Sequence, residues 1–183
     1  LDAATKGVSV KYQNSPESII YSKRRELYGL YQAKAAIAKK DCCFLVEGYT
    51  DVMAMHQMGV ENVVASSGTA LTEAQISLIH RLTQNIVVLY DGDAAGIKAS
   101  ERGIDMLLAA GMNVRVLLLP DGHDPDSFAR DRSQQDYQQY IQEHQVDFIK
   151  FKTDLLLGEA QGDTIKMSHL TQKIVQSISV IPQ

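Results

Sequence analysis

Between residues 42 and 119 the sequence alternates short, largely apolar runs with stretches of helical period, and this rhythm restricts the fold more than any other feature. The apolar runs fall at 42–46, 62–65, 86–90 and 114–119, and helical spacing follows at 49–58, 72–82 and 94–110. Strands that are apolar throughout, each followed by a helix, belong to a parallel sheet covered on both faces, so an α/β fold with about four central strands is expected. Thr72 and Gln75 stand at capping-box spacing, with Leu71 and Ile76 placed to staple the helix start. Gly111 closes the helix beginning near Ala94.

On either side the pattern changes. Residues 1–21 mix Gly, Ser, Asn and Pro without period and read as loop or short extended pieces. Residues 22–40 read as one basic amphipathic helix, with Leu27, Leu30, Tyr31, Ala35 and Ala38 forming its apolar stripe. Lys23, Arg24, Arg25, Lys34, Lys39 and Lys40 lie mostly off that stripe. Beyond Arg130 the composition shifts to Gln, Asp and Tyr, and residues 133–181 read as two or three helices without strand signals, a separate helical piece.

With 183 residues, 45% of them apolar, the chain can bury a sizeable core. Its formal charge of -4, from 18 basic and 22 acidic residues, argues against a uniformly basic coat but leaves local patches open. The two cysteines, Cys42 and Cys43, are adjacent and would point to opposite faces of a strand. They make neither a disulfide framework nor a zinc-ligand set, and a reducing cytosol fits them best. No apolar run is long enough to span a bilayer, and the first ten residues lack the order of a signal peptide. Starting at Leu1 and ending at Gln183 just after an apolar helical pattern, the sequence reads as a piece of a larger protein.

In open α/β sheets, ligands bind beyond the carboxyl ends of the strands. There the informative acids of this chain sit. Glu47 follows the first strand directly with Asp51 four residues on, Asp91 and Asp93 follow the third strand, and Asp121, Asp124 and Asp126 follow the fourth, where Pro120 and Pro125 stiffen the loop. Several carboxylates in so small a space repel one another unless a cation sits among them. All-oxygen donors with no convergent His or Cys favour a hard ion, Mg2+ or Mn2+. Each acid taken singly also has a structural reading: Asp93 as a helix cap, Asp51 at the positive end of a helix dipole, and the Asp-Gly pairs 91–92 and 121–122 as turns. Glu47 is the hardest to explain structurally, because a carboxylate ending a buried strand is costly unless paired or metal-bound.

Taken in order, Glu47-Gly48-Tyr49-Thr50-Asp51, Asp91-Gly92-Asp93-Ala94-Ala95-Gly96 and Asp124-Pro125-Asp126 resemble the motifs of the Toprim domain, shared by primases, topoisomerases and some nucleases. The upstream residues 11–17 and 27–30 resemble the segments that precede it in bacterial DnaG-type primases. The resemblance implies a Toprim metal-binding domain at 41–130, preceded at 1–40 by the end of the polymerase core's N-terminal subdomain and followed at 131–183 by a helical subdomain. It implies metal ligation by Glu47, Asp51, Asp91, Asp93, Asp124 and Asp126, with Glu47, Asp91 and Asp93 catalytic. Beside them, a basic ridge including Lys11, Asn14, Lys23, Arg24 and Arg25 would hold template and nucleotide, although an exposed basic face has no need of a ligand.

The implied activity is a primase, a nucleotidyltransferase that makes short RNA primers on single-stranded DNA from ribonucleoside triphosphates by two-metal phosphoryl transfer. Mg2+ is the implied cofactor, with Mn2+ as substitute, and zinc is expected only in a domain absent from this sequence. The implied partners are the DNA template, the replicative helicase and single-strand-binding protein, in a bacterial cytoplasm at the nucleoid. Little activity is expected of this piece alone. A Toprim nuclease could use the same acidic cluster, whereas a topoisomerase also needs a distant tyrosine nucleophile to which nothing points. The reading from another class is a noncatalytic nucleotide-binding module. Ser66-Ser67-Gly68-Thr69 could offer amides to a phosphate, or simply lead to Thr72.

Overall fold

The computed structural model describes residues 18, 19, 21–66, 70–90, 94–120, 122–160 and 164–182. In chain order it contains α1 (Leu30–Lys40), β1 (Cys43–Val46), α2 (Tyr49–Gln57), β2 (Val63–Ala65), α3 (Glu73–His80), β3 (Asn85–Tyr90) and α4 (Ala94–Ala109). There follow β4 (Asn113–Leu118), α5 (Pro125–Arg130), α6 (Gln134–Glu143), β5 (Gln145–Asp147), α7 (Phe148–Ala160) and α8 (Thr164–Ser179). The four apolar runs form the expected parallel sheet in the order β2-β1-β3-β4, and β5 adds to β4 as an antiparallel fifth strand.

Alternation along the strands divides the core in two. On one face Cys43, Leu45, Ile86, Val88, Val114 and Val116 pack with Ile37 of α1, Ile79 of α3 and Leu107 of α4. On the other, Phe44, Val46, Val87, Leu89 and Leu117 pack with Met55 of α2, Phe128 of α5 and Tyr137 of α6. Burying one such side chain stabilises the fold by about 1.5–3 kcal/mol, so the double-faced sheet carries most of the stability. Cys42 packs against the second cluster while Cys43 belongs to the first, the opposite-face arrangement expected of an adjacent pair in a strand.

The order of the strands also locates a crevice. From β1 the chain crosses to β2 on one side, then returns past β1 to β3 on the other. Successive connections therefore diverge between the carboxyl ends of β1 and β3, the switch point where open sheets receive ligands.

Two expectations need correction. The helix expected at 22–40 begins only at Leu30. Tyr28 exchanges backbone hydrogen bonds with Ala65, at 3.0 and 3.1 Å, and this bridge draws residues 23–28 away from helical geometry. Gly29 then turns the chain into α1 with φ at 82°, a conformation that costs a side-chain-bearing residue about 1–2 kcal/mol. The buried stripe of α1 is Ala33 and Ile37, while Tyr31, Ala35 and Ala38 are exposed.

The region after Arg130 also contains a strand and does not stand apart from the sheet. Val146 of β5 pairs with Val116, Phe148 enters the first core and Tyr137 and Ile141 enter the second. The buried Lys152 of α7 donates to Ser177 Oγ of α8 at 3.0 Å, and Ser177 donates to Asp105 of α4 at 3.0 Å. That relay supplies hydrogen-bond partners for an ammonium group whose burial would otherwise be costly, and it ties the last two helices to the sheet layer.

Candidate functional site

Glu47 is placed by strand alternation. It continues the row of Cys43 and Leu45 one residue beyond β1, and it is exposed. The cost of burial therefore does not apply to it, which corrects the sequence argument for its role. It lines a cavity of about 820 Å³ at the switch point, shared with Ser66 after β2 and Tyr90 at the end of β3.

Three arginines line the same cavity. Arg24 and Arg25 come from the turn before Leu27, and Arg102 from α4. Arg24, Arg25 and Arg102 are exposed, whereas Lys23 is half-buried. A carboxylate and guanidinium groups lining one open cavity suit an anion that reaches the acid through a cation. The sequence reading missed Arg102, although an arginine two turns into the helix after Asp-Gly-Asp was a signal that could have found it.

The remaining acids divide by their contacts. Asp51 sits at the third position of α2, and its Oδ2 accepts a hydrogen bond from the Gly48 N–H at 2.9 Å. Asp124 is the N-cap of α5: its Oδ1 accepts from the Ser127 N–H at 2.7 Å, and Ser127 Oγ accepts in return from the Asp124 N–H at 3.0 Å. The Ser127 backbone N–H holds the Asp124 carboxyl below the usual range, outweighing the opposing effect of burial. Asp126 pairs with Arg130 one turn along the same helix. The α5 helix packs on α2, on the sheet face opposite the Glu47 cavity. Burial, reinforced by the charge of Asp51, pushes the Tyr137 hydroxyl pKa up.

Lys11, Asn14, Asp91 and Asp93 lie outside the described residues, as do residues 67–69 of the Ser-Gly loop. Among the described residues no three His, Cys, Asp or Glu side chains converge as a metal site. Burial raises the pKa of both thiols, leaving Cys42 and Cys43 as packing groups. No helix among the described residues is long and apolar enough to cross a membrane.

Residues 44–129 match the Toprim-like family model. The chain is 36% identical over 171 residues to a DNA primase of Staphylococcus epidermidis, covering 93% of this chain and 29% of that protein. It is 43% identical over 133 residues to a DNA primase of Aquifex aeolicus, covering 73% of this chain and 27% of the relative. Among solved structures, a DNA primase domain from Pseudomonas aeruginosa superposes with a TM-score of 0.84 at 36% identity, covering 96% of this chain and 56% of the other. A DnaG primase catalytic domain bound to single-stranded DNA gives a TM-score of 0.83 at 33% identity, covering 96% and 57%. The chain thus spans less than a third of these two curated relatives, 29% and 27%.

Proposed function

Given that the chain belongs to the bacterial DnaG-type DNA primases, with the Toprim-like domain of their catalytic core, we propose that it carries the centre where ribonucleotides are joined into short RNA primers on single-stranded DNA. The observation that carries this reading is the exposed Glu47 at the switch point, lining one cavity with Arg24, Arg25 and Arg102. That combination suits a polyphosphate bound through a cation at one end and through guanidinium groups at the other. A nuclease or a passive nucleotide-binding module would share the acids, and neither is favoured by the primase relatives.

In the proposed reaction the 3'-hydroxyl of one ribonucleotide attacks the α-phosphate of a triphosphate. A new phosphodiester bond forms and the bond to the β-phosphate breaks, so pyrophosphate departs while the hydroxyl proton passes to a base. Glu47 has the chemistry of a hard-cation ligand, an exposed carboxylate open to the cavity. We assign it, with Asp91 and Asp93, to holding Mg2+ or Mn2+. Such a cation, when bound, supplies charge stabilisation for the attacking and leaving oxygens. Glu47 could also take the proton.

Asp51 and Asp124 already serve their helix starts, so in this reading they complete the ligand shell from the rim, directly or through water. An exposed i,i+4 ion pair contributes little, so the Arg130 contact would yield if Asp126 turned to a cation. Residues 41–130 then act as the metal-binding domain, with 1–40 supplying basic groups such as Lys11 together with the neutral amide of Asn14, and 131–183 buttressing the sheet. Helicase and single-strand-binding protein would meet the larger protein elsewhere.

The basic turn gives a direct test. In the intact protein, Arg24→Ala/Arg25→Ala is expected to weaken single-stranded DNA binding on the order of tenfold and to reduce its salt slope by roughly 1–2, since each phosphate contact on a single strand contributes about 0.7. Fluorescence anisotropy across a salt series measures both. Unchanged affinity and slope would remove the turn from the binding surface.

A further inference from the structure

Gln75 is fully buried, an uncommon place for an uncharged polar side chain unless each of its groups has a partner. Its Oε1 accepts from the Thr72 N–H at 3.1 Å, completing the capping box of α3. Its Nε2 donates in the other direction, to the carbonyl oxygens of Lys23 at 2.9 Å and Glu26 at 2.8 Å. The Thr72 hydroxyl donates to the Arg24 carbonyl at 2.6 Å while accepting from the Gln75 N–H at 3.2 Å. Three carbonyls of one turn, 23, 24 and 26, are therefore held by two side chains about fifty positions along the chain.

That turn has no helix or strand of its own to fix it. Its nearest regular pairing is the Tyr28–Ala65 bridge, and Arg24 and Arg25 stand exposed on the cavity lined by Glu47. A helix cap needs only the bonds between Thr72 and Gln75, so the donations to Lys23, Arg24 and Glu26 are additional to capping.

We infer that Gln75, assisted by Thr72, is a positioning residue that sets the basic turn at the mouth of the cavity, and so fixes where Arg24 and Arg25 hold phosphate groups relative to Glu47. This rests on the binding role proposed above for the turn. Fully buried, Gln75 would act through the turn and not on the ligand itself. The phosphates could belong to a DNA strand or to a triphosphate, and the two are separated by measuring each.

The test is a double-mutant cycle in the intact protein, with Gln75→Leu made alone and in the Arg24→Ala/Arg25→Ala background. Binding of a labelled single-stranded oligonucleotide and, separately, of ATP is followed across a salt series, alongside thermal unfolding. Alone, Gln75→Leu is expected to weaken whichever ligand the turn holds between about threefold and tenfold and to lower the salt slope for the oligonucleotide, if that is the ligand. In the arginine-less background the same change should leave affinity unmoved while lowering the unfolding temperature equally. Thr72→Val, which removes only one carbonyl contact and the cap bond, should act in the same direction and more weakly, and it stands in if Gln75→Leu does not fold. Equal losses of affinity in both backgrounds would overturn the inference, because the effect would then not pass through the arginines. So would wild-type affinity in the single variants while removal of the arginines weakens binding. If removal of the arginines itself changes nothing, the binding role of the turn fails and the inference falls with it.

Discussion

Glu47→Gln in the intact protein is expected to lower primer synthesis by at least about 100-fold while leaving the fold in place. Outer-shell partners of a metal alone are worth about 10- to 100-fold, so a direct ligand should cost no less. Because Glu47 is exposed, its replacement should change stability by no more than about 0.5 kcal/mol. A structural role would reverse that pattern, with stability lost and synthesis falling only in proportion. Initiation on a single-stranded template, scored by incorporation of labelled ribonucleotide and paired with a melting curve, separates the two. Near-normal synthesis would remove Glu47 from the centre.

The largest effect on stability is expected at Phe128. Its ring is fully buried in α5, lies 5.5 Å from the Tyr137 ring and 4.7 Å from that of Tyr140, and carries the Arg132 guanidinium 3.6 Å from its centroid. Phe128→Ala removes both the transferred surface and the packing of its neighbours, at a cost of about 3–5 kcal/mol. For a chain of this size that corresponds to a fall in Tm of roughly 6–20 °C, read by circular dichroism or calorimetry. Phe128 also anchors the helix whose start carries Asp124 and Asp126, so the loss bears on the acidic rim as well as the core. A shift of less than about 3 °C would mean that α5 is not built into the sheet layer as described.

What could be read in advance follows from which interactions are local. The four parallel strands were legible because strands buried on both faces are largely apolar, Arg115 of β4 being an exposed exception, and the start of α3 because Thr72 and Gln75 cap it within four residues. The start of α1 was not, because its basic and apolar spacing runs on without a break through Tyr28, while the bridge to Ala65 that ends it spans 37 positions. The six-residue α5 is too short to show a period, so Pro125 was read as stiffening a loop, whereas it is the first residue of this helix. The three residues of β5 are partly exposed and mostly polar, and they become a strand only because β4 offers an edge.

For the site, order and spacing of the acids were legible and their division of labour was not. Aspartate is favoured both at a helix N-terminus and as a hard-cation ligand, so Asp51 and Asp124 look alike in sequence whichever they do. Geometry gives both a capping bond and leaves Glu47 facing a cavity with three arginines. Gln75 carried a helix-start signal only, and its hold on the basic turn emerges from contacts about fifty residues apart.

The central claim, that the acidic ends of β1 and β3 hold a divalent cation together with a triphosphate, is tested most directly by Mn2+ titration of this chain. Line broadening of backbone amide resonances would be followed with and without a nucleoside triphosphate, in the parent and in Glu47→Gln. The account predicts broadening centred on Glu47 and the stretch from Tyr90 to Asp93, strengthened by triphosphate and much reduced in the variant. Broadening that spares those residues at millimolar Mn2+, or that is the same in Glu47→Gln, would contradict it.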